Sequence, residues 1–376
     1  MDHQQSVERV IADVIIPAAD AVDREARFPR EAITALGDAG LLGLTTAVEH
    51  GGGGAGLAEA ADVVGAIAQQ CGTTAMVLMM HYAATTIVEA HGTDGMRDEI
   101  GAGHHLTTLA FSERGSRSHF WAPVSSARPA GDAVALDAEK SWVTAAGEAD
   151  SYVWSSRPLA ADGPMTLWFV PSSTTGLAVK GPFDGLGLRG NASSPVTGHD
   201  VGVPMSSMLG VDGAGLDIAL GLALPWFLVL NATASVAAMQ AVCGEALSHL
   251  TGSRLEHLDQ TLIEQPVTRA AFARMRLETD SADALVRDAL HALGEEREDA
   301  MLRVLQVKAA AGEAAARVTD EAMRVCGGAA FRRELGIERR FRDARASRVM
   351  APTTDALLDF IGRALAGLPL FDEAAA

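Results

Sequence analysis

The sequence is poor in cysteine. It has three cysteines in 376 residues, Cys71, Cys243 and Cys326, and no two of them form a CxxC pair. A sparse, odd set of this kind argues against a disulfide framework and against a thiolate zinc site. It is typical of a protein in a reducing compartment, so we expect a cytoplasmic location and no bound metal.

Basic residues are also scarce relative to acidic ones. Against 48 Asp and Glu there are only 30 Lys and Arg, which gives a formal net charge of −18. A surface this acidic repels phosphate backbones and anionic lipids, so nucleic acid and membrane surfaces are poor candidates for partners. An anionic small ligand held by a local group of arginines remains compatible with this charge.

The N-terminus lacks a basic head followed by an apolar stretch, so no secretory signal is expected. Residues 218–244 contain no charged residue, and a run of this length could cross a bilayer. However, Pro225, Asn231 and Gln240 interrupt the run with groups that lipid would penalise. The run therefore predicts a helix buried in a protein core, with no membrane partner.

The chain is long enough for two or three domains that each bury a core. Apolar residues recur at helical spacing through residues 1–106, and short β-type runs separated by Gly, Pro and Ser fill residues 107–212. Helical spacing then returns over residues 213–376. The pattern predicts a mainly helical α+β protein with three domains at these boundaries.

Five segments carry the motifs of the sequence. They read FPREAITALGDAGLLGL…EHGGGGAG (28–56), FSERGSRSH (111–119), AEKSWVTAAGEADSYVW (138–154), GLGLRGNASSPVTGHDVGVP (185–204) and AMRVCGGAAFRRELGIERRFRDARASRVM (322–350). In this order they resemble motifs of the FAD-dependent acyl-CoA dehydrogenase family over nearly the whole chain. The resemblance implies an N-terminal helical domain, a central β-barrel-like domain and a C-terminal four-helix bundle. It also implies FAD and a homo-oligomer, a tetramer or a dimer, with FAD between subunits.

The resemblance implies a first set of flavin-binding residues in the central domain. Ser112 and Thr144 correspond to residues that contact the flavin, Trp142 to the aromatic residue that packs on its ring, and Ser118 to a serine beside the phosphates. Because Trp142 and Thr144 alternate with Val143, we expect both side chains on one face of one strand.

A second set lies in the C-terminal domain. Arg254 and Gln265 match a pair that contacts the FAD of a neighbouring subunit in the family. Gly327 and Gly328 are expected to let the backbone approach the adenylate half of FAD. Two further positions complete the cofactor set: Arg324, which could pair with a phosphate, and Thr353.

The carboxylate that the family uses as its catalytic base is missing. Removing the α-proton of an acyl thioester needs such a base, and its usual position after the RDAR motif is Ala351 here. The other position known in the family falls on the uncharged run near Phe227, where no carboxylate occurs. The nearest carboxylates in sequence, Asp217 and Asp355, are predicted to be helix-cap or surface groups. The catalytic residues are therefore unknown.

Three hypotheses remain open. The protein is an α,β-dehydrogenase with a recruited base, a flavin monooxygenase or oxidase on the same scaffold, or a non-catalytic subunit of a heteromeric enzyme. The bulky His119, Phe120 and Trp121 next to the flavin loop are compatible with a remodelled substrate. A CoA thioester, a carrier-protein thioester and a substrate without a thioester are all compatible with the sequence.

Overall fold

The computed structural model describes residues 3–117 and 119–371. Residues 3–101 fold mainly as helices that pack around a common apolar core. Pro29 directly precedes the third helix, as its fixed φ favours. The helices are α1 (His3–Val10), α2 (Ile16–Arg24), α3 (Arg30–Asp38), α4 (Leu57–Ala68), α5 (Gly72–His91) and α6 (Asp94–Gly101).

The middle of the chain forms two four-stranded sheets. Their strand orders are β1-β4-β5-β8 and β2-β3-β7-β6, and β1 pairs with β4 in parallel while the other neighbours are antiparallel. The strands are β1 (Thr107–Ala110), β2 (Ser126–Ala130), β3 (Ala133–Val143), β4 (Ser151–Ser156), β5 (Thr166–Pro171), β6 (Leu177–Val179), β7 (Ser194–Pro204) and β8 (Met208–Leu209).

The C-terminal part is helical again. It comprises α7 (Gly215–Ile218), α8 (Leu224–Gly252), a short hairpin of β9 (Arg254–Leu255) and β10 (Gln260–Thr261), α9 (Pro266–Gly294), α10 (Ala300–Cys326), α11 (Ile337–Val349) and α12 (Thr354–Leu365). The long helices α8, α9 and α10 pack on one another, and α12 packs on α10. The observed order confirms the predicted mainly helical fold with a central β region.

The uncharged run forms the central helix of this bundle. Residues Gly215–Gly252 are long and apolar enough to cross a membrane, but 61% of the most apolar window is buried inside the protein. The helix packs against α9 and α10 on one side and against α4 and α5 of the N-terminal region on the other. Its apolar character therefore matches its position between two helical layers.

The RDAR segment of α11 connects three parts of the fold. The Arg342 guanidinium bonds both oxygens of Asp23 on α2, at 2.9 and 2.6 Å, and donates to the carbonyl of Leu186. The next residue, Asp343, accepts a 2.6 Å hydrogen bond from the backbone of Leu188. The most specific motif in the sequence thus holds α11 against the N-terminal helices and the central domain.

Candidate functional site

The main candidate site is a cavity where the three regions of the chain meet. One wall comes from the central domain: Leu109, Phe111, Ser112, Phe120, Ser141 and Trp142. The other walls come from the helical regions: Met80, Ala219, Ala223, Leu224, Phe227, Ala351 and Pro352. Such a meeting point of domains is a usual place for a cofactor or a small ligand to bind.

A widened helical turn shapes one side of this cavity. Residues Ala219–Ala223 form a π-turn between α7 and α8, and both end residues line the cavity. Pro225 follows directly and cannot donate to the carbonyl four residues earlier, so it disfavours regular α-helical bonding through this turn. Turns of this type often occur at functional sites.

The cavity lining is almost wholly apolar. Among the described residues that line it, the only side chains with polar atoms are Ser112, Ser141 and Trp142 with its indole N–H, and none is titratable. Ala351, the position at which the sequence analysis predicted the missing glutamate, is part of the wall. Asp217 and Asp355 are exposed and do not line the cavity; each lies in the first turn of a helix.

The predicted alternation of Trp142 and Thr144 on one strand is wrong. Strand β3 ends at Val143, its register with β7 shifts between Lys140 and Val143, and Trp142 has φ +56°. As a result the Trp142 side chain is 71% exposed at the cavity, while Thr144 is buried and bonds the Ser193 hydroxyl at 3.2 Å. A residue in the left-handed conformation turns the backbone out of the regular pleat. Side chains therefore no longer alternate between the two faces of the strand after this point.

An ion pair that the sequence analysis did not identify fixes the loop carrying Ser112. The Lys140 ammonium lies 2.5 Å from the Glu113 carboxylate, and both side chains are almost completely buried. Glu113 also accepts hydrogen bonds from the backbone of Val124 and from the backbone and hydroxyl of Ser125. Lys140 donates in addition to Ser155. Both charged residues lie inside motifs quoted above, beside the cavity residues Ser112 and Ser141.

Both members of this pair are charged at neutral pH. Burial lowers the pKa of Lys140 to about 8, against the opposing effect of Glu113. Burial also acts to raise the pKa of Glu113, but Lys140 and the hydrogen-bond donors outweigh it and hold that pKa below its usual value. Because every oxygen of Glu113 is engaged, this carboxylate is not available as a base in the cavity.

A second buried lysine fixes the wall that contains Ala351. Lys308 on α10 donates to the carbonyl oxygens of Ser347, Met350 and Pro352, at 2.8, 3.1 and 2.9 Å. Burial lowers the pKa of Lys308 to about 7. The signal in the sequence was a single lysine in the apolar part of a helix, which indicates a buried group with polar partners.

The other described residues predicted to bind the cofactor do not line the cavity. Arg254 forms an ion pair with Asp259, and Gln265 bonds the side chain of Gln260 at 2.7 Å. Thr353 caps α12 by accepting from the backbone of Ala356. Ser118 lies outside the described residues.

The region around Gly327 also lies away from the cavity. Arg324 bonds Glu321 at 2.5 and 2.8 Å, so its guanidinium already has a carboxylate partner. A side chain at position 327 or 328 would meet no described residue within 4 Å other than its chain neighbours. Within one chain, therefore, no close packing requires glycine at these two positions. Gly327 does have φ +58° and ψ −140°, a conformation that favours glycine.

Comparisons with known proteins agree with the fold and the motifs. Family models match over most of the chain: acyl-CoA dehydrogenase N-terminal domain at residues 2–102, middle domain at 108–201 and C-terminal domain at 213–366. A probable acyl-CoA dehydrogenase of Bacillus subtilis is 26% identical over 94% of this chain and 95% of its own length.

Solved structures show the same architecture. Butyryl-CoA dehydrogenase from Megasphaera elsdenii superimposes with a TM-score of 0.90 at 21% identity, covering 97% of this chain and 98% of its own. A prolyl acyl carrier protein oxidase gives a TM-score of 0.87 at 20% identity, covering 97% and 99%.

Proposed function

Because the chain belongs to the acyl-CoA dehydrogenase family, we propose that it is an FAD-dependent oxidoreductase that works without the family's usual carboxylate base. The observation that carries this proposal is the cavity in which Ser112, Trp142 and Ala351 meet. In the family, the positions of Ser112 and Trp142 correspond to flavin-binding residues, and the position of Ala351 corresponds to the catalytic base.

The residues present fit a bound flavin. Trp142 is a large aromatic side chain left 71% exposed beside the cavity, and only a ligand or another chain would cover it. Ser112 and Ser141 line the same space, and their hydroxyls have no hydrogen-bond partner among the described residues. The space beside Gly327 and Gly328 is likewise open within one chain.

FAD, when bound, supplies the redox chemistry, and the chain supplies binding and orientation. Trp142 would pack against the flavin ring, and the Ser112 loop, fixed by Glu113 and Lys140, would hold the ring edge. The described lining of the face that contains Ala351 is apolar. The described lining offers no side chain that takes a proton, so proton removal would need the substrate itself, water or a group outside the cavity wall.

Oxidase or monooxygenase chemistry is the second candidate. It is favoured by the same uncharged lining, since oxidation by this route need not begin with removal of an α-proton by a side-chain carboxylate. The substrate would then be a CoA thioester, a carrier-protein thioester or a related small molecule. A non-catalytic subunit is the third candidate, in which the other chain of the heteromer would cover Trp142.

A homo-oligomer forms part of the proposal. Arg254 and Gln265 lie outside the cavity of their own chain, as expected for residues that reach the FAD of a neighbour. An apolar groove between α9, α10 and α12 exposes Leu277 and Leu358, 66% and 57% accessible, and a second copy would cover it.

The test is an anaerobic titration of the purified protein with acyl-CoA thioesters, followed by visible absorption. The proposal expects a yellow protein. Bleaching of the oxidised flavin band would identify a dehydrogenase half-reaction with a recruited base. An unbleached band together with oxygen-dependent turnover would identify the oxidase or monooxygenase form. A colourless protein that cannot be reconstituted with FAD contradicts the proposal.

Replacing Trp142 with alanine should weaken FAD binding about tenfold, because the ring loses an aromatic packing partner. The measurement is the dissociation constant of FAD for the reconstituted apoprotein. Val211 is an exposed apolar residue of the central domain that does not line the cavity, so Val211→Ala is the control and should leave the constant unchanged. Equal affinities for wild type and Trp142→Ala would show that the flavin does not pack on this residue.

A further inference from the structure

The last described residues fold back from helix α12. Gly367 has φ +68°, a left-handed conformation that reverses the backbone after the helix. The Leu368 N–H donates to the carbonyl of Arg363 at 2.9 Å, and the Arg363 guanidinium donates to the carbonyl of Pro369 at 3.3 Å. These bonds hold residues 367–371, the C-terminal strap, in a position that leads towards the central domain.

The strap places an aromatic ring against the central domain. The ring centre of Phe371 lies 5.2 Å from that of Trp121 and 5.4 Å from that of Phe360 on α12. Trp121 and Phe360 are buried and lie 5.3 Å apart, so the three rings form one cluster in tilted and edge-on arrangements that aromatic pairs favour. Phe371 therefore links the end of the C-terminal helix to the loop before β2.

This cluster supports the cavity wall from behind. Trp121 does not line the cavity, but the preceding residue, Phe120, does. The Phe120 ring packs edge-on against Trp121 at 5.3 Å and lies 6.4 Å from the ring of Phe111, another lining residue, which directly precedes Ser112. Contacts thus run from the strap through Trp121 to the wall that carries Ser112.

Trp121 would have room to move if the strap did not hold it. A second cavity of about 480 Å³ lies between the strap and the loop, and Trp121, Phe360 and Phe371 are among its lining residues. A buried side chain keeps one orientation only where its neighbours fill the space around it. Without Phe371, the Trp121 ring could turn into this space, and Phe120 would lose the ring behind it.

We infer that the C-terminal strap positions the cavity wall against which the flavin binds, with Phe371 and Trp121 as the positioning residues. This inference rests on the proposed function, because it assigns the wall to a bound flavin. Neither residue lines the cavity, so both act on it through Phe120. The affinity of the protein for FAD therefore depends on a contact made by the folded-back strap.

The test is the dissociation constant of FAD for the reconstituted apoprotein with Phe371→Ala. We expect this constant to rise about threefold to fivefold, because an aromatic contact behind the wall is lost, and the absorption band of the bound flavin to shift. Leu368→Ala is the control and should change neither, since Leu368 belongs to the same strap, is 57% exposed and lines neither cavity. An unchanged constant and flavin spectrum for Phe371→Ala would overturn the inference, even if the variant unfolds at a lower temperature.

A double-mutant cycle shows whether Phe371 acts through Trp121. If it does, the variant with both Trp121→Ala and Phe371→Ala should bind FAD about as tightly as Trp121→Ala alone. Phe371→Tyr restores a ring and should return the constant to within about twofold of wild type. Phe371→Leu keeps an apolar side chain without the ring, so it replaces Phe371→Ala in the cycle if that variant does not fold. Effects that multiply in the double variant would refute the strap.

Amide hydrogen exchange of the apoprotein separates failure of this inference from failure of the proposed function. In the loop that carries Trp121, the Ala122 N–H donates to the carbonyl of His119 at 3.0 Å. We expect this loop to exchange at least about fivefold faster in Phe371→Ala than in Leu368→Ala. A yellow wild type with equal exchange in the two variants would refute the strap and keep the flavin enzyme. A colourless protein would refute the flavin enzyme, and the exchange would still decide whether the strap fixes the loop.

Discussion

Replacing Lys140 with methionine should lower the free energy of unfolding by about 3–5 kcal/mol, measured by urea denaturation at pH 7. The substitution leaves the Glu113 carboxylate buried without its counter-ion, and the side chains of the pair are only 0% and 2% exposed. The cost comes from the unpaired charge more than from the lost attraction. For this reason the double variant Glu113→Gln/Lys140→Met should recover most of the loss.

Lys180 provides the matched control for this prediction. It is exposed at the end of β6 in the same domain, so Lys180→Met should change the unfolding free energy by less than about 0.5 kcal/mol. A loss below about 1 kcal/mol for Lys140→Met would contradict a buried charged pair. The Ser112 loop should also become mobile in this variant, so FAD affinity is expected to fall with stability.

The ion pair of Glu113 and Lys140 should also make the free energy of unfolding depend on pH. Because the pKa of Glu113 is held below its usual value, its ionised form stabilises the native state fully above the unfolded-state pKa near 4.3. That contribution is lost as the pH falls through the lower native pKa. The stability difference between wild type and Glu113→Gln should therefore narrow between pH 5 and pH 3. A difference that stays constant over this range would show that Glu113 is not ionised in the native state.

Replacing Arg342 with methionine should also cost about 3–5 kcal/mol of unfolding free energy. Arg342 makes two hydrogen bonds to Asp23 and one to Glu338, and its side chain and that of Asp23 are 18% and 11% exposed. The variant leaves two carboxylates without a partner at the contact between α2, α11 and the central domain. We expect the loss to appear in thermal and urea unfolding alike.

Arg348 on the same helix is the control. Its ion pair with Glu313 is more accessible, with side chains 46% and 31% exposed, so Arg348→Met should cost no more than about 1 kcal/mol. Equal losses for the two variants would show that the buried contact of Arg342 with Asp23 contributes no more to stability than an accessible ion pair. Adding Asp23→Asn to Arg342→Met should restore part of the stability, since one unpaired charge is removed.

Local pattern was sufficient to predict the order of helical and β regions. The helices around Leu36 and Val64 and the core helix of residues 218–244 follow from apolar spacing, because one buried face imposes that period on the sequence. The motifs also predicted the family. The prediction that Trp142 and Thr144 share one strand face was wrong, because Trp142 has a left-handed backbone conformation that ends the alternation. A pattern of apolar residues does not indicate such a change in φ.

The sequence by itself determined which residue types were available: an acidic chain, a set of family motifs, and alanine at the position predicted for the usual base. The tertiary structure alone decided which of them meet. Arg342 and Asp23 are 319 positions apart, Lys140 and Glu113 are 27 apart, and Phe111, Phe227 and Ala351 line one cavity from separate regions. Apolar spacing records which face of an element is buried, but it does not record which other element covers that face. The partner is set by the packing of the whole chain, and the character of the site follows from that packing.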